Sequence, residues 1–463
     1  MNETRDKRHL AALGSRIFSE ANDLKRTPEA LAEEIEFDID TIHAAIDGRS
    51  PVETAEAIIR AMADKYPVSL ADLWVEPDDT ESGVKIMRDE ESRATLRFFD
   101  RKDRDGDLTP YYEYRDTAMS RTAPFKPEWI QPIRLVDDAD PDNPDVAYNH
   151  GHLMHQCTFF IGEVNFYWRI AGQGYCTEMN TGDSNYISPF VPHSFAGRNP
   201  DRPGLILAVT YGGDVRRALG QFGLIGPNSA DELAGNPTNS IGAFRARLDR
   251  YLAAESLNRQ DLADRLLAGG MDRTRIDMLT GGNEVPTADE TVALAKALHI
   301  RAEDLMVTPL EDEGPVTVRY AGDTPERLYP KVNNPAYRMR ELARTRRQPG
   351  LKGFDLSVLS GVDTTEGQFR HSLHQYVYNY GGVPVSVLWN EGENENADII
   401  NPGDSAYIRP MVSHSFSVAP DQDEGRLVIV RIPGTLSDAV IDEFSTFAVE
   451  GRSRVAGETK QWF

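Results

Sequence analysis

The sequence predicts an α+β protein in which one unit, a helical domain followed by a β-barrel, occurs twice in tandem. The first observation behind this prediction is an internal repeat: TGDSNYISPFVPHSF, ending at Phe195, recurs 221 residues later as PGDSAYIRPMVSHSF, ending at Phe416. The second is a change within each half from helical periodicity to short alternating strands. A chain of 463 residues also exceeds what a single hydrophobic core normally supports. The sequence therefore predicts four domains.

The composition is that of a globular protein without a membrane span. Hydrophobic residues make up 40% of the chain, and no apolar run is long enough to cross a bilayer. The net charge of −24 repels phosphate backbones, so nucleic acid is not expected as a partner. Two cysteines are too few for a disulfide framework, and the charged N-terminus has no export signal. These features favour a cytoplasmic protein.

Residues 1–78 and 238–308 are predicted to be helical domains of the helix-turn-helix type. Thr27 and Asn258 stand at N-cap positions, and apolar residues at spacings of three and four follow each of them. DNA binding is the usual function of such a domain, and a role in packing or subunit contact is the alternative. The expected recognition helix, DIDTIHAAIDGR, carries three aspartates and one arginine. Reading a DNA groove requires Arg, Lys, Asn or Gln, so the sequence favours the packing role.

Residues 84–226 and 315–463 are predicted to be β-barrels. Short alternating runs such as CTFFIGEVNFYWRI and RLVIVRI lie between turns rich in Gly, Pro, Asn and Asp. A tight turn ahead of a strand that carries a histidine is typical of a cupin (jelly-roll) barrel. The predicted architecture is thus helical domain, cupin barrel, helical domain, cupin barrel.

A cluster of polar residues in the first barrel indicates a metal site. His152 and Gln156 are four residues apart, a spacing that puts both side chains on one face of a strand, and His193 follows on a later strand. A mononuclear non-haem iron site needs two imidazoles and one oxygen donor, with other positions open for substrate and oxygen. Polar residues satisfied by hydrogen bonds in a barrel mouth are the alternative. The combined spacing favours the metal, although a neutral amide compensates less of the Fe(II) charge than a carboxylate.

The chain resembles the family of hydroxyethylphosphonate dioxygenase and methylphosphonate synthase, which are non-haem iron enzymes acting on phosphonates. The stretches NHGHL, TGDSNYISPFVPHSF, RDGDLTPYYEY and DLKRTPEALAEE carry the resemblance, which covers essentially the whole chain. In the dioxygenase a glutamate ligand lies six residues before the last histidine, where this chain has Ile187. The synthase branch has an apolar residue there and a glutamine four residues after the first histidine. The resemblance therefore implies Fe(II) held by His152, Gln156 and His193, which are also the expected catalytic residues.

The resemblance also implies residues that bind the substrate. The implied substrate, 2-hydroxyethylphosphonate, is a dianion that requires cations and hydrogen-bond donors. Asn149 and Arg104 match the family's asparagine and arginine, and Tyr114 is favoured over Tyr112 for its tyrosine. Lys25 matches a lysine that reaches the site from the helical domain of a neighbouring subunit. A homo-oligomer is therefore expected.

The implied reaction is the Fe(II)- and O2-dependent cleavage of 2-hydroxyethylphosphonate to methylphosphonate and CO2. One alternative is the dioxygenase reaction, which yields hydroxymethylphosphonate and formate. The other is a non-enzymatic cupin-type transcription regulator. The first is disfavoured because Ile187 supplies no carboxylate, and the second because the expected recognition helix is acidic.

The second barrel repeats the pattern of candidate ligands as His371, Gln375 and His414. A second metal site is therefore an open alternative. Against it, Gln368 aligns with Asn149, and Arg409 replaces Ser188 near the expected mouth. We expect the second barrel to be a degenerate copy with a structural role.

Overall fold

The fold is taken from a computed structural model. It describes residues 3–234, 239–310, 312–330, 335–359, 368–392 and 394–457. The α-helices are α1 Glu3–Asp23, α2 Pro28–Glu34, α3 Ile39–Ile46, α4 Val52–Lys65, α5 Leu70–Leu73, α6 Asp89–Ala94, α7 Gly213–Arg217, α8 Leu219–Ala234, α9 Ser240–Ala254, α10 Arg259–Ala268, α11 Arg273–Thr280, α12 Ala288–Leu298, α13 Ala302–Leu305, α14 Asp438–Ser445 and α15 Val449–Gly457.

The strands divide between the two halves of the chain. Those of the first half are β1 Val84–Met87, β2 Arg97–Lys102, β3 Leu108–Asp116, β4 Phe125–Pro132, β5 His155–Ile161, β6 Val164–Ile170, β7 Gln173–Met179, β8 Ser184–Ile187, β9 His193–Gly197 and β10 Leu205–Tyr211. Those of the second half are β11 Val316–Arg319, β12 Glu326–Tyr329, β13 Tyr337–Glu341, β14 Lys352–Val358, β15 His374–Asn379, β16 Val385–Glu391, β17 Asn394–Ile400, β18 Ser405–Ile408, β19 Ser413–Ser417 and β20 Gly425–Ile432.

One helical bundle precedes the sheets of each half. Helices α1 to α5 enclose one apolar core, and α9 to α13 enclose another. Thr27 and Asn258 are N-caps, as predicted: Thr27 accepts a hydrogen bond from the backbone N–H of Ala30, and Asn258 forms a capping box with Asp261. In the described residues, no helix combines the length and the apolar character that a membrane crossing requires.

Each half forms a sandwich of a seven-stranded and a three-stranded antiparallel sheet. In the first barrel the order is β11-β8-β5-β10-β4-β3-β2, facing β7-β6-β9. In the second it is β1-β18-β15-β20-β14-β13-β12, facing β17-β16-β19. The apolar core of each barrel lies between its two sheets, because alternate residues of every strand point inward. The matching strand orders extend the internal repeat from the sequence to the topology.

The two barrels exchange one edge strand. Strand β1, at the start of the first barrel segment, pairs with β18 of the second barrel, with Val84 opposite Ile408. Strand β11, at the start of the second segment, pairs with β8 of the first, with Val316 opposite Ile187. The predicted barrel segments 84–226 and 315–463 are therefore wrong at their first strands, because each of those strands belongs to a sheet of the other barrel. The sequence shows only that these strands exist, because pairing partners are set by tertiary contacts.

The outer faces of the large sheets pack against each other, and the first helical bundle lies beside the second barrel. A shared core joins aromatic residues of β5 and β8 to those of β15 and β18. Arg8 in α1 forms an ion pair with Glu391 in β16, at 3.4 Å. The N-terminal helical bundle thus contacts the second barrel of the same chain.

Candidate functional site

A cavity of about 180 Å³ opens between the sheets of the first barrel. Its lining residues are Arg101, Tyr112, Tyr114, Glu128, Ile130, Ala147, Asn149, His152, Met154, Gln156, His193, Phe195 and Thr210. Five residues that the sequence predicts for the site therefore meet here: the three candidate ligands, Asn149 and Tyr114. The less favoured tyrosine, Tyr112, lines the cavity as well. The arrangement of their donor atoms indicates which ligands the cavity fits.

The spacing from Gln156 predicts that His152 lies on the same strand. The structure instead places His152 in the loop before β5. The loop is tight at Gly151, where φ is +74° and a Cβ atom would lie 2.5 Å from the backbone of Phe190. The imidazole Nδ1 lies 2.9 Å from the carbonyl oxygen of Met154 and 3.3 Å from the backbone nitrogen of the same residue. Because the backbone of Met154 engages Nδ1, Nε2 is the free ring nitrogen.

His193 is the first residue of β9 and is 5% exposed. Its Nδ1–H donates to the carbonyl of Val191, at 2.8 Å, so that Nε2 carries the lone pair. Burial lowers the pKa of His193 to about 4, and the nearby His152 adds to this effect. The centroids of the two imidazole rings are 5.3 Å apart, with the ring planes nearly perpendicular. In both histidines the backbone engages Nδ1, so Nε2 is the ring nitrogen available to a metal.

Gln156 is buried on β5 and lies between two neighbouring strands. Its cross-strand partners are Ile187 on β8 and Thr210 on β10. The side-chain amide N–H donates to the hydroxyl of Thr158, at 2.9 Å. Within the described residues the amide oxygen has no hydrogen-bond partner, and it is therefore the atom available to the cavity. Since directly opposed side chains share one face of a sheet, a donor at position 187 would compete for the same space.

Two imidazole nitrogens and one amide oxygen thus converge on one cavity. In the described part of the chain, no group of three or more His, Cys, Asp or Glu side chains is placed to hold a metal ion. A metal in this cavity would therefore take its third protein ligand from a neutral side chain, and Gln156 is positioned for it. The donor set fits a divalent transition metal, which accepts imidazole nitrogen and neutral oxygen ligands.

Asn149 is anchored by its side-chain oxygen, which accepts the backbone N–H groups of Gly151 and His193 at 2.9 and 3.0 Å. Its amide nitrogen lies 3.0 Å from Nε2 of His193. The Asn149 amide is therefore a fixed hydrogen-bond donor beside the candidate metal ligands.

The structure separates the two candidate tyrosines. The Tyr112 hydroxyl accepts the backbone N–H of Phe195 at 2.8 Å and contacts the Ser194 hydroxyl at 3.3 Å. The Tyr114 hydroxyl has no hydrogen-bond partner among the described residues. Burial raises the pKa of Tyr114 to about 12, so its phenol stays protonated. Of the two, Tyr114 is the one with a hydroxyl available to a bound molecule.

Arg104 and Lys25 do not lie in this cavity. Arg104 belongs to the turn between β2 and β3, is 59% exposed and forms an ion pair with Asp145. Lys25 is exposed in the turn between α1 and α2, with φ at +60°. Its ammonium group makes no ion pair with any described residue. Within one chain, therefore, neither cation reaches the candidate metal ligands.

The arginine that lines the cavity is Arg101, which the sequence analysis missed. Its guanidinium lies 4.5 Å from the centre of the Phe99 ring, and its buried Nε has no hydrogen-bond partner in the described residues. No other described side chain forms an ion pair with it. A buried guanidinium nitrogen without a partner is unusual, since burying a donor costs free energy unless an acceptor compensates it. The sequence of β2, RFFDRK, does not single it out, because apolar and polar residues do not alternate there and both phenylalanines are exposed.

The corresponding residues of the second barrel bond to one another. The Gln375 amide oxygen lies 3.2 Å from Nε2 of His371, and its nitrogen lies 2.9 Å from Nε2 of His414. Arg431, at the position of Thr210, donates to that oxygen at 2.7 Å. All three atoms that could bind a metal therefore already contact other side chains.

The mouth of the second barrel also differs from the sequence alignment. Phe369 pairs through its backbone with His414, as Asn149 does with His193, so Phe369 and not Gln368 holds the asparagine position. Arg409 forms ion pairs with Asp78 and Glu391. The guanidinium near the second site is therefore Arg431.

The chain is similar along nearly its whole length to proteins of known function. The chain is 37% identical over 461 residues to methylphosphonate synthase of Nitrosopumilus maritimus, covering 98% of this chain and 96% of that protein. It superposes with a TM-score of 0.87 on Streptomyces albus hydroxyethylphosphonate dioxygenase solved with 2-hydroxyethylphosphonate and Fe(II), at 33% identity, covering 98% and 99% of the two chains. A variant of hydroxyethylphosphonate dioxygenase, 18% identical, shares the fold with a TM-score of 0.73 over 96% and 99% of the two chains. No family model matches the sequence.

Proposed function

The chain belongs to the family of methylphosphonate synthase and hydroxyethylphosphonate dioxygenase, and we propose that it is a methylphosphonate synthase: an Fe(II)- and O2-dependent enzyme that cleaves 2-hydroxyethylphosphonate. One observation carries the proposal. Two imidazole nitrogens, an amide oxygen and an unpaired guanidinium line the same small cavity. A metal and a dianionic substrate would together engage all four groups, with the metal replacing the Asn149 amide at Nε2 of His193.

His152, Gln156 and His193 would hold the iron. Three protein ligands leave coordination positions for the substrate oxygens and for O2. When bound, the iron supplies the redox chemistry with O2 and orients the substrate oxygens as a Lewis acid. The protein fixes the ligands through bonds to backbone carbonyls and to Thr158, so the site is organised before the metal enters.

Arg101 and Asn149 would bind the phosphonate, and Tyr114 would donate a further hydrogen bond. A guanidinium and an amide N–H are suited to phosphonate oxygens, and charge-assisted bonds to such groups are strong. We assign the arginine role to Arg101 and not to Arg104, because Arg104 is paired with Asp145 outside the cavity. Lys25 would complete the site from a neighbouring subunit. Its exposure, together with the position of its bundle beside the second barrel, supports an oligomer in which it reaches another chain.

The choice between synthase and dioxygenase rests on Ile187. This residue is fully buried directly opposite Gln156, where the resemblance puts the glutamate ligand of the dioxygenase. Its side chain supplies no donor, so the amide of Gln156 is the remaining candidate for the third ligand. The 37% identity with a methylphosphonate synthase supports the same choice.

The reaction balances without an external reductant. 2-Hydroxyethylphosphonate and O2 contain the atoms of methylphosphonate, CO2 and water, and the hydroxyl-bearing carbon is oxidised while O2 is reduced. The dioxygenase alternative distributes the same atoms between hydroxymethylphosphonate and formate. The contribution of the chain is to hold the substrate in one orientation and to limit access to the cavity.

Anaerobic loading with Fe(II), followed by 2-hydroxyethylphosphonate and O2, tests the proposal through phosphorus NMR. Methylphosphonate gives a signal split by three methyl protons, whereas hydroxymethylphosphonate gives one split by two. A product that is mainly methylphosphonate supports the synthase. Mainly hydroxymethylphosphonate would make the chain a dioxygenase, and turnover to neither product would reject both.

The finer fold assignments belong to the same proposal. The two-sheet barrels are assigned to the cupin class and the helical bundles to the helix-turn-helix type, with a role in oligomer contact instead of DNA binding. The acidic helix α3, with Asp38 at its N-cap and Asp40 in its first turn, supports this role.

A further inference from the structure

A cluster of four arginines surrounds the mouth of the second barrel. Its members, called here the arginine cluster, are Arg319, Arg327, Arg344 and Arg431. Three of them share one ring: the guanidinium carbons of Arg327, Arg344 and Arg431 lie 5.4, 5.6 and 5.3 Å from the centre of Phe354. The fourth joins through a shared carboxylate, because Glu341 pairs with Arg344 at 3.0 Å and with Arg319 at 3.5 Å. Positive charge is thus concentrated in a chain whose net charge is −24.

Few described groups compensate this charge. Glu341 is the one carboxylate in the described residues that forms an ion pair with a member of the cluster. Arg327 is exposed and makes no ion pair or hydrogen bond with a described side chain. The neighbouring Glu326 pairs instead with Arg338 and Arg340. Four guanidinium groups therefore face one carboxylate.

Buried nitrogen atoms of the cluster also lack partners. Nε of Arg344 and one terminal nitrogen of Arg431 have no hydrogen-bond partner in the described structure. Burial lowers the pKa of Arg431 to about 10, and the charge of Arg327 adds to that effect. The pKa of Arg344 is lowered for the same reasons, with Arg319 and Arg327 as the neighbouring charges. Like charges that repel one another while donors stay unsatisfied indicate a place for an anion.

We propose that the arginine cluster binds a small tetrahedral dianion of the phosphate or phosphonate class. Guanidinium groups donate paired hydrogen bonds to the oxygens of such an ion, and several groups can share its three or four oxygens. The members come from β11, β12, β20 and the segment after β13, so they approach from different directions. A planar monocarboxylate has two oxygens and fits fewer of them. Because Arg327 is exposed, the site is open to ions from solution.

Crystals of the full-length protein soaked in tungstate, a heavy tetrahedral dianion, give a direct test. An anomalous peak within hydrogen-bond distance of at least two members of the arginine cluster is the expected result. Density for tungstate elsewhere in the crystal, with none at the cluster, would overturn the proposal.

Titration calorimetry with inorganic phosphate tests the same site in solution. Arg327→Met should weaken phosphate binding at this site about tenfold or more, since it removes a charge-assisted donor. Arg327 has no ion pair with a described residue, so its loss should not unfold the chain. Arg338→Met is the matched control: Arg338 lies on β13 of the same sheet, but it is paired with Glu424 at 2.7 Å, and the variant should titrate like the parent. Equal affinity in the parent and in Arg327→Met, or acetate binding as tightly as phosphate, would refute the assignment.

Discussion

Gln156 and Gln375 occupy the same register in the two barrels, each opposite an isoleucine, yet their amide groups make different contacts. In the first barrel the amide nitrogen of Gln156 donates to Thr158, and the oxygen is left free. In the second, Val377 stands at the position of Thr158 and offers no acceptor, so the amide of Gln375 turns to His414. The oxygen of Gln156 is therefore free, whereas the oxygen of Gln375 is engaged by His371 and Arg431.

The charged residues at the two mouths also differ. Thr210 of the first barrel corresponds to Arg431 of the second, since Thr210 pairs with Gln156 and Arg431 pairs with Gln375. Glu128 corresponds to Phe354, because Thr210 pairs with Lys126 as Arg431 pairs with Lys352. These exchanges replace a carboxylate by a ring and a hydroxyl by a guanidinium. The second mouth thus lacks a carboxylate that the first has and gains a guanidinium, which is consistent with the proposed anion site.

The two helical bundles also differ in one candidate functional residue. Lys25 and Ser256 occupy matching turns, two residues before the N-caps Thr27 and Asn258, and both have positive φ. The backbone of the turn is thus retained in the second copy without the cation. Both the donor set and the proposed substrate lysine are therefore assigned to the first copy alone.

The largest effect that separates the barrels is expected from the two glutamines. Gln156→Ala removes a proposed metal ligand and should reduce turnover to below about 1% of the parent, with weaker Fe(II) binding. Gln375→Ala should keep turnover and instead lower the free energy of unfolding by about 1–3 kcal/mol, because His414 and Arg431 lose a partner. Steady-state rates, metal analysis and denaturant unfolding distinguish these results. Equal loss of activity in both variants would contradict the assignment of the site to the first barrel.

The next largest effect concerns the two arginines near the first site. Arg101→Met should lower kcat/KM for 2-hydroxyethylphosphonate about 10- to 100-fold, because it removes a charged donor from the cavity. Arg104→Met, which breaks an exposed ion pair with Asp145, should change it less than about threefold. Kinetics of both purified variants test the choice. The reverse ranking would return the phosphonate role to Arg104.

A smaller effect is expected from Lys25. Lys25→Ala should lower kcat/KM about tenfold, whereas Ser256→Ala should leave it unchanged. If Lys25 acts across subunits, mixing Lys25→Ala chains with Gln156→Ala chains should regain part of the activity, because one mixed site has both groups intact. Activity that equals the sum of the separate variants after subunit exchange would show that Lys25 does not act on a neighbouring chain.

The tyrosines should give a smaller change still. Tyr114→Phe removes a hydroxyl without a described partner and should lower kcat/KM about fivefold. Tyr112→Phe leaves the N–H of Phe195 unsatisfied, so it should reduce the free energy of unfolding by about 1–3 kcal/mol with a smaller effect on KM. Kinetics and thermal unfolding of the two variants provide the check. A larger kinetic effect in Tyr112→Phe would reverse the choice.

The sequence predicted the repeat, the N-caps at Thr27 and Asn258 and the meeting of His152, Gln156 and His193. These follow from local chemistry and from spacing, which a sequence displays directly. The exchanged strands were not predictable, because β1 and β11 read as ordinary edge strands and only tertiary contacts select their partners.

The arginine in the first cavity was missed for a similar reason. The motif RDGDLTPYYEY points to Arg104, whereas the arginine that lines the cavity is Arg101 on the edge strand β2, whose sequence shows no alternation. The alignment of Gln368 with Asn149 failed because the loop before β15 is one residue shorter than its counterpart, which brings Phe369 opposite His414. Register errors of this kind arise in loops, where no periodicity fixes the position.

The last prediction concerns a double variant of the second barrel that should change the Fe(II) content of the protein without changing its activity. The double variant Val377→Thr and Arg431→Thr gives the second barrel the residues at Thr158 and Thr210 of the first. It should free the oxygen of Gln375 and remove the cation beside it, so that Fe(II) bound per chain rises from about one to about two by metal analysis. Turnover should stay unchanged, because Phe369 and Ser256 still replace Asn149 and Lys25. Arg431→Met, which removes the charge but supplies no acceptor for the Gln375 amide, is the control expected to stay near one metal per chain. A double variant that also stays near one would mean that the two exchanges do not account for the difference between the barrels.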